Sequence, residues 1–258
     1  RCDNVGSIKN RVSNEHYSIN HTSVGANGVC SIDVVSKQSN TIVGAPQSFR
    51  AINGKSAVSV AIKKSKKKAL FCGRPMVVID PGHGGKDSGT VGINGVAEKD
   101  VALSVAKKLK QLLEKQGIAV RLTRDKDKFI QLDDRTSLAN KDNCALFISL
   151  HANSSSRESA CGIETYFSEG SLLKQPNDKR DKESKVLALD VHDCLLRATK
   201  AEDRKVRKEV SQVLLGTLHP SILVELGFMS NRQEAKKLSN SRYQNKLAEG
   251  LAKGIAKY

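Results

Sequence analysis

The sequence contains no tryptophan and only ten phenylalanine and tyrosine residues among 258 positions. Aromatic platforms on which single-stranded nucleic acid could stack are therefore scarce. No run of 18 apolar residues is present, so we expect no membrane span. The six cysteines include no Cys-x-x-Cys pair, which argues against a structural zinc knuckle, and their spacing leaves disulfide pairing open. The first residues show no signal peptide, which fits a trimmed mature chain as well as a cytosolic one.

Positive charge is in excess, with a formal net charge of +16. Residues 1–70 hold 11 Lys/Arg against 3 Asp/Glu, and residues 71–258 hold 32 against 24, so each part contributes +8. Such a balance is typical of proteins with anionic partners, namely nucleic acid, membrane surfaces or an acidic polymer such as bacterial wall. Solvated faces and a basic tail would give the same composition. Because no nucleic-acid-binding motif appears, we expect no nucleic-acid partner.

The first 70 residues are rich in Ser, Asn, Gly and Lys and end in a basic run at 63–68. We interpret residues 1–70 as a weakly structured or small β-rich N-terminal segment with a basic linker. Short β-like stretches within it lie at 29–35, 41–43 and 57–62.

Beyond residue 70, apolar runs alternate with helical patterns. The predicted strands are 76–80, 118–123, 144–150, 162–167, 209–215 and 221–226, and the predicted helices are 98–116, 132–143, 184–199 and 241–257. Strands that alternate with helices predict an α/β domain over 71–258, with a mainly parallel sheet covered on both faces.

The first predicted strand runs directly into His83, which stands among four glycines. The stretch 82–88 resembles a phosphate-binding loop, but the Walker spacing would require glycine at Asp80 and Ser or Thr at Asp87. Asp87 also occupies the third-glycine position of a dinucleotide fingerprint. We therefore expect the glycines to serve His83 rather than a phosphate group.

Polar side chains follow or end three predicted strands: His83, His151 and Glu225. Ligands of open α/β sheets bind beyond the carboxyl ends of strands, so these groups should converge, and Glu98 at the start of a helix can fold over the same edge. Two imidazoles and a carboxylate form an open zinc site, and a further carboxylate can move a proton. Taken singly, each His could be a hydrogen-bonded loop residue and Glu98 a helix-start carboxylate. A purely structural role is harder to assign to Glu225, because burying an unpaired carboxylate within an apolar run destabilises the fold.

Residues 76–258 resemble the zinc-dependent N-acetylmuramoyl-L-alanine amidases of type 3, which cut bacterial peptidoglycan. The segments that carry the resemblance occur in order: DPGHGGKDSG, GVAEKD, LTRDKD, LDDRTSLAN, FISLHAN, GIETYF and LVELGFMSN. The resemblance implies that His83, Glu98 and His151 bind Zn²⁺ and that Glu225 is the catalytic glutamate. It also implies a twisted sheet between helices and hydrolysis of the amide between the lactyl group of N-acetylmuramic acid and L-alanine of the stem peptide.

The sequence departs from this family at several places. Some division amidases carry a blocking helical insertion after the strand that matches 162–167, and the interval 168–183 is too short for one. We therefore expect an enzyme that needs no activator. Lys205 stands where the family often has glycine, and Leu215-Gly216 stands where Leu-Arg is usual, which bears on substrate contacts. Residues 1–70 do not match the wall-targeting β-domain of some members.

The expected function is that of a periplasmic or wall-associated zinc amidase in wall remodelling or daughter-cell separation. We expect a monomer whose basic surface faces its peptidoglycan or muropeptide substrate. Two alternatives are a wall-binding module that has lost catalysis and a nucleic-acid binder led by residues 1–70. A serine carboxypeptidase activity at Ser104 and Lys107 rests on a Ser-x-x-Lys motif that occurs here about as often as chance predicts.

Overall fold

The computed structural model describes residues 17–24, 29–36, 49–50, 76–141, 144–173 and 178–258. The chain divides into two units, Arg1–Lys68 and Ala69–Tyr258. In the first unit the described strands are β1 (Tyr17–Val24), β2 (Val29–Ser36) and β3 (Phe49–Arg50), which pair antiparallel in that order. The strand predicted at 29–35 is confirmed as β2, and β1 was not predicted. The stretches at 41–43 and 57–62 lie outside the described residues.

The second unit is built on a six-stranded sheet with the strand order β5-β4-β6-β9-β7-β8. Its strands are β4 (Met76–Pro81), β5 (Ala119–Leu122), β6 (Cys144–Asn153), β7 (Ile163–Phe167), β8 (Asp203–Lys208) and β9 (Ser221–Phe228). The helices are α1 (Glu98–Lys115), α2 (Leu132–Lys141), α3 (Asp178–Thr199), α4 (Gln212–Leu215), α5 (Arg232–Leu238) and α6 (Ser241–Lys257). All strand pairs are parallel except β7 with β9, so the predicted mainly parallel α/β fold is confirmed.

The sheet is buried on both faces because successive strand residues point to opposite sides. On β4, Val77 and Ile79 pack into a large core with α1, α3 and α6, whereas Val78 packs with Phe147 into a smaller core beneath α2 and α4. This double burial explains why the central strands are almost continuously apolar in sequence. None of the described helices is both long and apolar enough to cross a membrane.

The reversed direction of β7 follows from its connection. The loop 154–162 between β6 and β7 contains no helix, and a parallel strand would need a crossover of a dozen or more residues. Strand β7 therefore starts at the edge where β6 ends. As a result, residue 164 on β7 lies directly opposite residue 225 on β9.

The second unit differs from the predicted elements at three places. The strand predicted at 209–215 does not form: the strand is β8 at 203–208, and 212–215 is the short helix α4. Strand β8 lies at the edge of the sheet and is mostly charged, so its sequence does not show the alternation of apolar and polar residues that indicates a strand. The apolar residues Val213 and Leu214 of α4 pack into the smaller core instead. Helix α3 begins at 178 rather than 184, and α5 was not predicted.

Candidate metal centre

The carboxyl ends of β4, β6 and β9 meet at one edge of the sheet. His83 follows β4 by two residues, His151 lies near the end of β6, and Glu225 is the register partner of His151 on β9. Glu98 is the first residue of α1. The four predicted site residues are thus brought to the same edge from four separate parts of the chain.

One nitrogen from each histidine and one oxygen of Glu98 lie within 4.8 Å of one another. Glu98 Oε1 is 3.1 Å from His83 Nε2 and 2.9 Å from His151 Nδ1. A divalent metal with bonds of about 2.0–2.2 Å would hold tetrahedral ligand atoms roughly 3.4 Å apart. The spacing and the donor set therefore fit a small divalent cation.

The charge state of this cluster is set by its internal hydrogen bonds. Burial acts to raise the pKa of Glu98, but hydrogen bonds from His151 and His83 outweigh it and hold the pKa well below its usual range. The amide of Ala152 also donates to Oε1, and that of Thr90 donates to Oε2. In return, the hydrogen bond to Glu98 raises the pKa of His83 to about 9 despite its burial. A metal must therefore displace a proton from His83 at neutral pH.

The backbone of His83 is held in the left-handed region, with φ 59°, which is uncommon for a residue other than glycine. Two buried arginines fix this loop by donating to its carbonyl groups. Arg135 reaches the oxygens of Pro81 and His83, both at 2.8 Å. Arg124 reaches those of Pro81 at 3.0 Å and Gly82 at 2.7 Å. Both arginines lie in segments that resemble the family, but the sequence did not indicate their role, because the groups they contact are backbone carbonyls.

Two aspartates complete the support of His83. The buried carboxylate of Asp80 pairs with Arg135 at 2.8 Å. Asp87 Oδ2 lies 2.8 Å from His83 Nδ1, so Nδ1 is engaged and Nε2 faces Glu98. A carboxylate behind a histidine fixes the ring orientation in this way in many metal sites.

The glycines around His83 make room for the site. A Cβ atom on Gly82 would lie 2.3 Å from His151 Cε1, and one on Gly89 would lie 2.5 Å from Glu98 Oε2. Both contacts are far below van der Waals distance. The expectation that these glycines serve the histidine site rather than a phosphate agrees with this close packing.

Glu225 differs from Glu98 in that its buried Oε2 has no hydrogen-bond partner among the described residues. Burial raises the pKa of Glu225 to about 7, the carboxylates of Glu98 and Glu164 add to the shift, and His151 opposes it. A carboxyl group with a pKa near neutrality can both take up and give back a proton.

Sequence reasoning missed Glu164, the register partner of Glu225 on β7. This buried carboxylate accepts hydrogen bonds from Asn153 Nδ2 (2.8 Å), Tyr166 OH (2.9 Å) and Arg204 Nε (3.0 Å). An acidic residue inside a short apolar strand was the available signal. The strand pattern alone did not reveal which face of the sheet it occupies.

The other singled-out residues lie elsewhere. The hydroxyl of Ser104 donates to Gln244 on α6 at 2.7 Å, so it is engaged in the contact between α1 and α6. Gly216 accepts from Asn140, at the amino-terminal side of β6 and β9. The described part of the interval 168–183 starts from the far end of β7, and its Glu169 pairs with Lys208. These residues therefore lie away from the edge that carries His83 and Glu225.

Comparison with known proteins places the site in context. The sequence profile described as N-acetylmuramoyl-L-alanine amidase matches residues 77–257, which include all four site residues. The uncharacterized protein YqiI of Bacillus subtilis (strain 168) is 37% identical over 182 residues, which cover 70% of this chain and 84% of YqiI. The N-acetylmuramoyl-L-alanine amidase LytC of the same organism is 33% identical over 210 residues, covering 81% of this chain and 40% of LytC. The solved structure of the amidase AmiC2 of Nostoc punctiforme is 39% identical, with a TM-score of 0.66, and covers 72% of this chain and 97% of that one.

Proposed function

The chain belongs to the N-acetylmuramoyl-L-alanine amidase family, and on this premise we propose that it hydrolyses the amide between the lactyl group of N-acetylmuramic acid and L-alanine of the peptidoglycan stem peptide. The observation that carries the proposal is the convergence of His83, Glu98 and His151 beside Glu225, whose buried Oε2 has no hydrogen-bond partner among the described residues. Membership of this family favours an amidase over a nucleic-acid binder.

We assign His83, Glu98 and His151 as ligands of Zn²⁺. Two imidazoles and one carboxylate leave a coordination position for substrate or water, as is typical of catalytic zinc. Zinc at such a site supplies Lewis-acid polarisation of a carbonyl group and lowers the pKa of water from about 15.7 to about 7. The amides of Thr90 and Ala152 hold Glu98 in place, Asp87 orients His83, and Glu98 Oε1 contacts His151 Nδ1.

We assign Glu225 as the general base and acid. Its Oε2 is the acceptor for the proton of the attacking water, because no described residue competes for that oxygen. Once protonated, the same carboxyl group donates the proton to the nitrogen of L-alanine as the amide breaks. The pKa of about 7 suits both steps near neutral pH.

We further infer that residues 71–258 are the catalytic domain of a monomeric periplasmic or wall-associated enzyme. The net charge of +16 supports contact with anionic wall polymers. The absence of activator dependence remains our prediction, and the short interval 168–183 supports it. Zinc binding with wall hydrolysis only after addition of a partner protein would contradict it.

The test is mass analysis of peptidoglycan digested with and without a chelator. We expect release of peptides with a free L-alanine amine, and loss of that release when the metal is removed. Cleavage that persists after complete metal removal, or products without a free L-alanine amine, would contradict the proposal.

The Glu225→Gln variant separates an amidase from a module that binds wall without cleaving it. We expect it to retain zinc, because Glu225 is not among the three clustered ligands. We expect its kcat to fall by about 10²–10⁴-fold, since the proton acceptor is lost. Equal hydrolysis by variant and wild type would remove Glu225 from the mechanism.

A further inference from the structure

Strand β8 carries a β-bulge beside the site. The pairing of β7 with β8 shifts in register, so that Ile163 lies opposite Asp203 but Thr165 lies opposite Val206. One residue of β7, Glu164, therefore faces both Arg204 and Lys205. Lys205 adopts φ 77°, a left-handed conformation typical of such a bulge.

The bulge places two arginines on one side of β8. Arg204 and Arg207 are three positions apart and would point to opposite faces of a regular strand. With the extra residue between them, both reach Glu164: Arg204 Nε lies 3.0 Å and Arg207 Nη1 lies 3.8 Å from Oε1. Arg207 Nε also donates to the carbonyl of Arg204 at 3.2 Å. We call Arg204 and Arg207 the arginine pair.

The arginine pair has more positive charge than its surroundings neutralise. Among the described residues, Glu164 is the one carboxylate that forms an ion pair with either arginine. The Arg204 and Arg207 side chains remain 32% and 53% exposed. The Arg204 guanidinium lies 4.7 Å from the centre of the Phe228 ring, which restrains its orientation. An oriented, accessible guanidinium with surplus charge is suited to a carboxylate.

On the opposite flank of the site, the described cations are held differently. The ammonium of Lys86 lies over the Phe129 ring, 4.7 Å from its centre, and a single ammonium cannot form the paired contacts of a guanidinium with a carboxylate. There the ammonium of Lys99 is paired with Asp127 at 2.8 Å. Arg124 is buried, and its donors serve backbone carbonyls. The arginine pair is therefore the better candidate for an anionic group of a substrate that lies across this edge.

The distance from Glu225 to the arginine pair is compatible with the length of the stem peptide. Glu164 lies opposite Glu225, so β8 is two strand spacings, roughly 10 Å, from β9. In an extended stem peptide, the α-carboxylate of the residue after L-alanine lies roughly 6–7 Å from the nitrogen that is released. The arginine side chains extend from β8 toward Glu164 and span the remainder.

From this arrangement we propose that the arginine pair is a subsite for the free α-carboxylate of the second stem-peptide residue. The inference rests on the amidase function proposed above and adds a specificity to it. The subsite distinguishes a second residue with a free carboxylate from one with a carboxamide, since the amide carries no charge for the guanidinium groups to pair with.

The experiment compares two muramoyl peptides that differ at one group. Their second residue is D-glutamate, with a free α-carboxylate, or D-isoglutamine, with a carboxamide. We expect the zinc-loaded full chain to prefer the carboxylate by about tenfold in kcat/KM, mainly through KM. In Arg207→Gln the preference falls to about one- to twofold, and Arg207→Glu reverses it by repulsion.

The matched control is Arg197→Gln, an exposed arginine on α3 that pairs with Asp193. We expect this variant to keep the wild-type preference. If Arg207→Gln does not fold, Arg207→Lys replaces it: it keeps the charge, loses the planar fork, and should give an intermediate preference. An unchanged preference in a folded Arg207 variant would overturn the inference.

Two outcomes for the wild-type enzyme are distinguishable. Equal hydrolysis of both peptides would overturn the carboxylate subsite and leave the amidase function standing. Hydrolysis of neither peptide by the zinc-loaded chain would overturn the amidase function, and the subsite with it.

Discussion

Glu225 and Glu98 lie at the same sheet edge but have opposite electrostatic surroundings. Glu98 is held ionised by two histidines and two backbone amides. Glu225 has a buried oxygen without a described partner, which raises its pKa to about 7. An unpaired buried carboxylate destabilises a fold, so such a residue persists where its chemistry is used. This contrast supports separate roles for two carboxylates that look alike in sequence.

The raised pKa of Glu225 predicts a pH-dependent stability cost in the metal-free protein. Its folded pKa of about 7 lies above the ordinary value of 4.5, so the stability that protonated Glu225 contributes is fully present below about pH 4.5 and is lost as the pH rises through 7. We expect wild type to lose about 2–3 kcal/mol relative to Glu225→Gln between pH 4.5 and 8. Urea unfolding of both proteins with chelator measures the difference. An identical loss in both proteins would show that Glu225 does not titrate in this window.

The absence of a Cβ atom at Gly82 leaves the space that the His151 ring occupies. An added methyl group would overlap the His151 ring at 2.3 Å and displace it. We expect Gly82→Ala to weaken zinc affinity by at least about tenfold, because one ligand is moved out of position. Isothermal titration with zinc measures this. The control is Gly170→Ala, away from the site, where an added methyl group would have no atom within 4 Å. Because Gly170 has φ +88°, alanine there should lower the stability of the protein and leave the zinc affinity unchanged. Normal zinc affinity in Gly82→Ala would contradict the close-packing argument.

Among the elements, β7 and β8 decide what lies beside the metal centre. Because β7 runs antiparallel to β9, its second residue, Glu164, lies directly opposite Glu225. The bulge in β8 then directs both arginines toward Glu164. Lys205 adopts a left-handed backbone conformation in the bulge. Its amide donates a hydrogen bond to the carboxylate of Asp203, which restrains this conformation.

The left-handed conformation of Lys205 predicts opposite effects of two substitutions. Lys205→Gly should stabilise the protein by up to about 1 kcal/mol, because glycine adopts this φ without a Cβ clash. Lys205→Val should destabilise it by about 1–2 kcal/mol, because a β-branched side chain fits this region poorly. Urea unfolding measures both changes.

The control is Lys208→Gly on the same strand. The backbone of Lys208 has no positive φ, so glycine there should cost about 0.5–1 kcal/mol. Stabilisation by both glycine substitutions, or by neither, would count against strain at Lys205.

At the scale of the whole molecule, half of the excess positive charge lies in the unit that holds none of the four site residues. The four site residues and both hydrophobic cores belong to the unit Ala69–Tyr258. Residues 1–68 hold 11 Lys/Arg and 3 Asp/Glu, which is +8 of the total +16. A long-range attraction to anionic polymers and the catalytic step should therefore be separable.

Deletion of residues 1–68 should leave kcat/KM on a small muropeptide unchanged and weaken binding to intact sacculi. The salt dependence of that binding should become shallower, because half of the excess charge is removed. Sedimentation with sacculi over a range of salt concentrations measures the effect. A matched variant with glutamine at the five lysines of the run 63–68 should show part of the same loss. Loss of activity on the small substrate would show that the first 68 residues belong to the catalytic unit.

The helices α1 and α6 and the central strands were predictable, since their periodicity or apolar content is a local property of the chain. The convergence of the candidate site residues was predictable for a related reason. His83, His151 and Glu225 follow or end recognisable strands, and parallel strands bring their carboxyl ends to one edge. The family resemblance then predicted Glu98 as a metal ligand and Glu225 as the catalytic group, and these two roles stay predictions.

The sequence by itself therefore determined an α/β sheet and which four side chains could meet at its edge, because periodicity and chain order carry that information. The tertiary structure decided the direction of β7, the bulge at Lys205, the place of Glu164 and the arginine contacts to the loop of His83. Each of these depends on which residues of distant segments lie opposite one another, and pairing of that kind is fixed only when the sheet assembles and buries both of its faces.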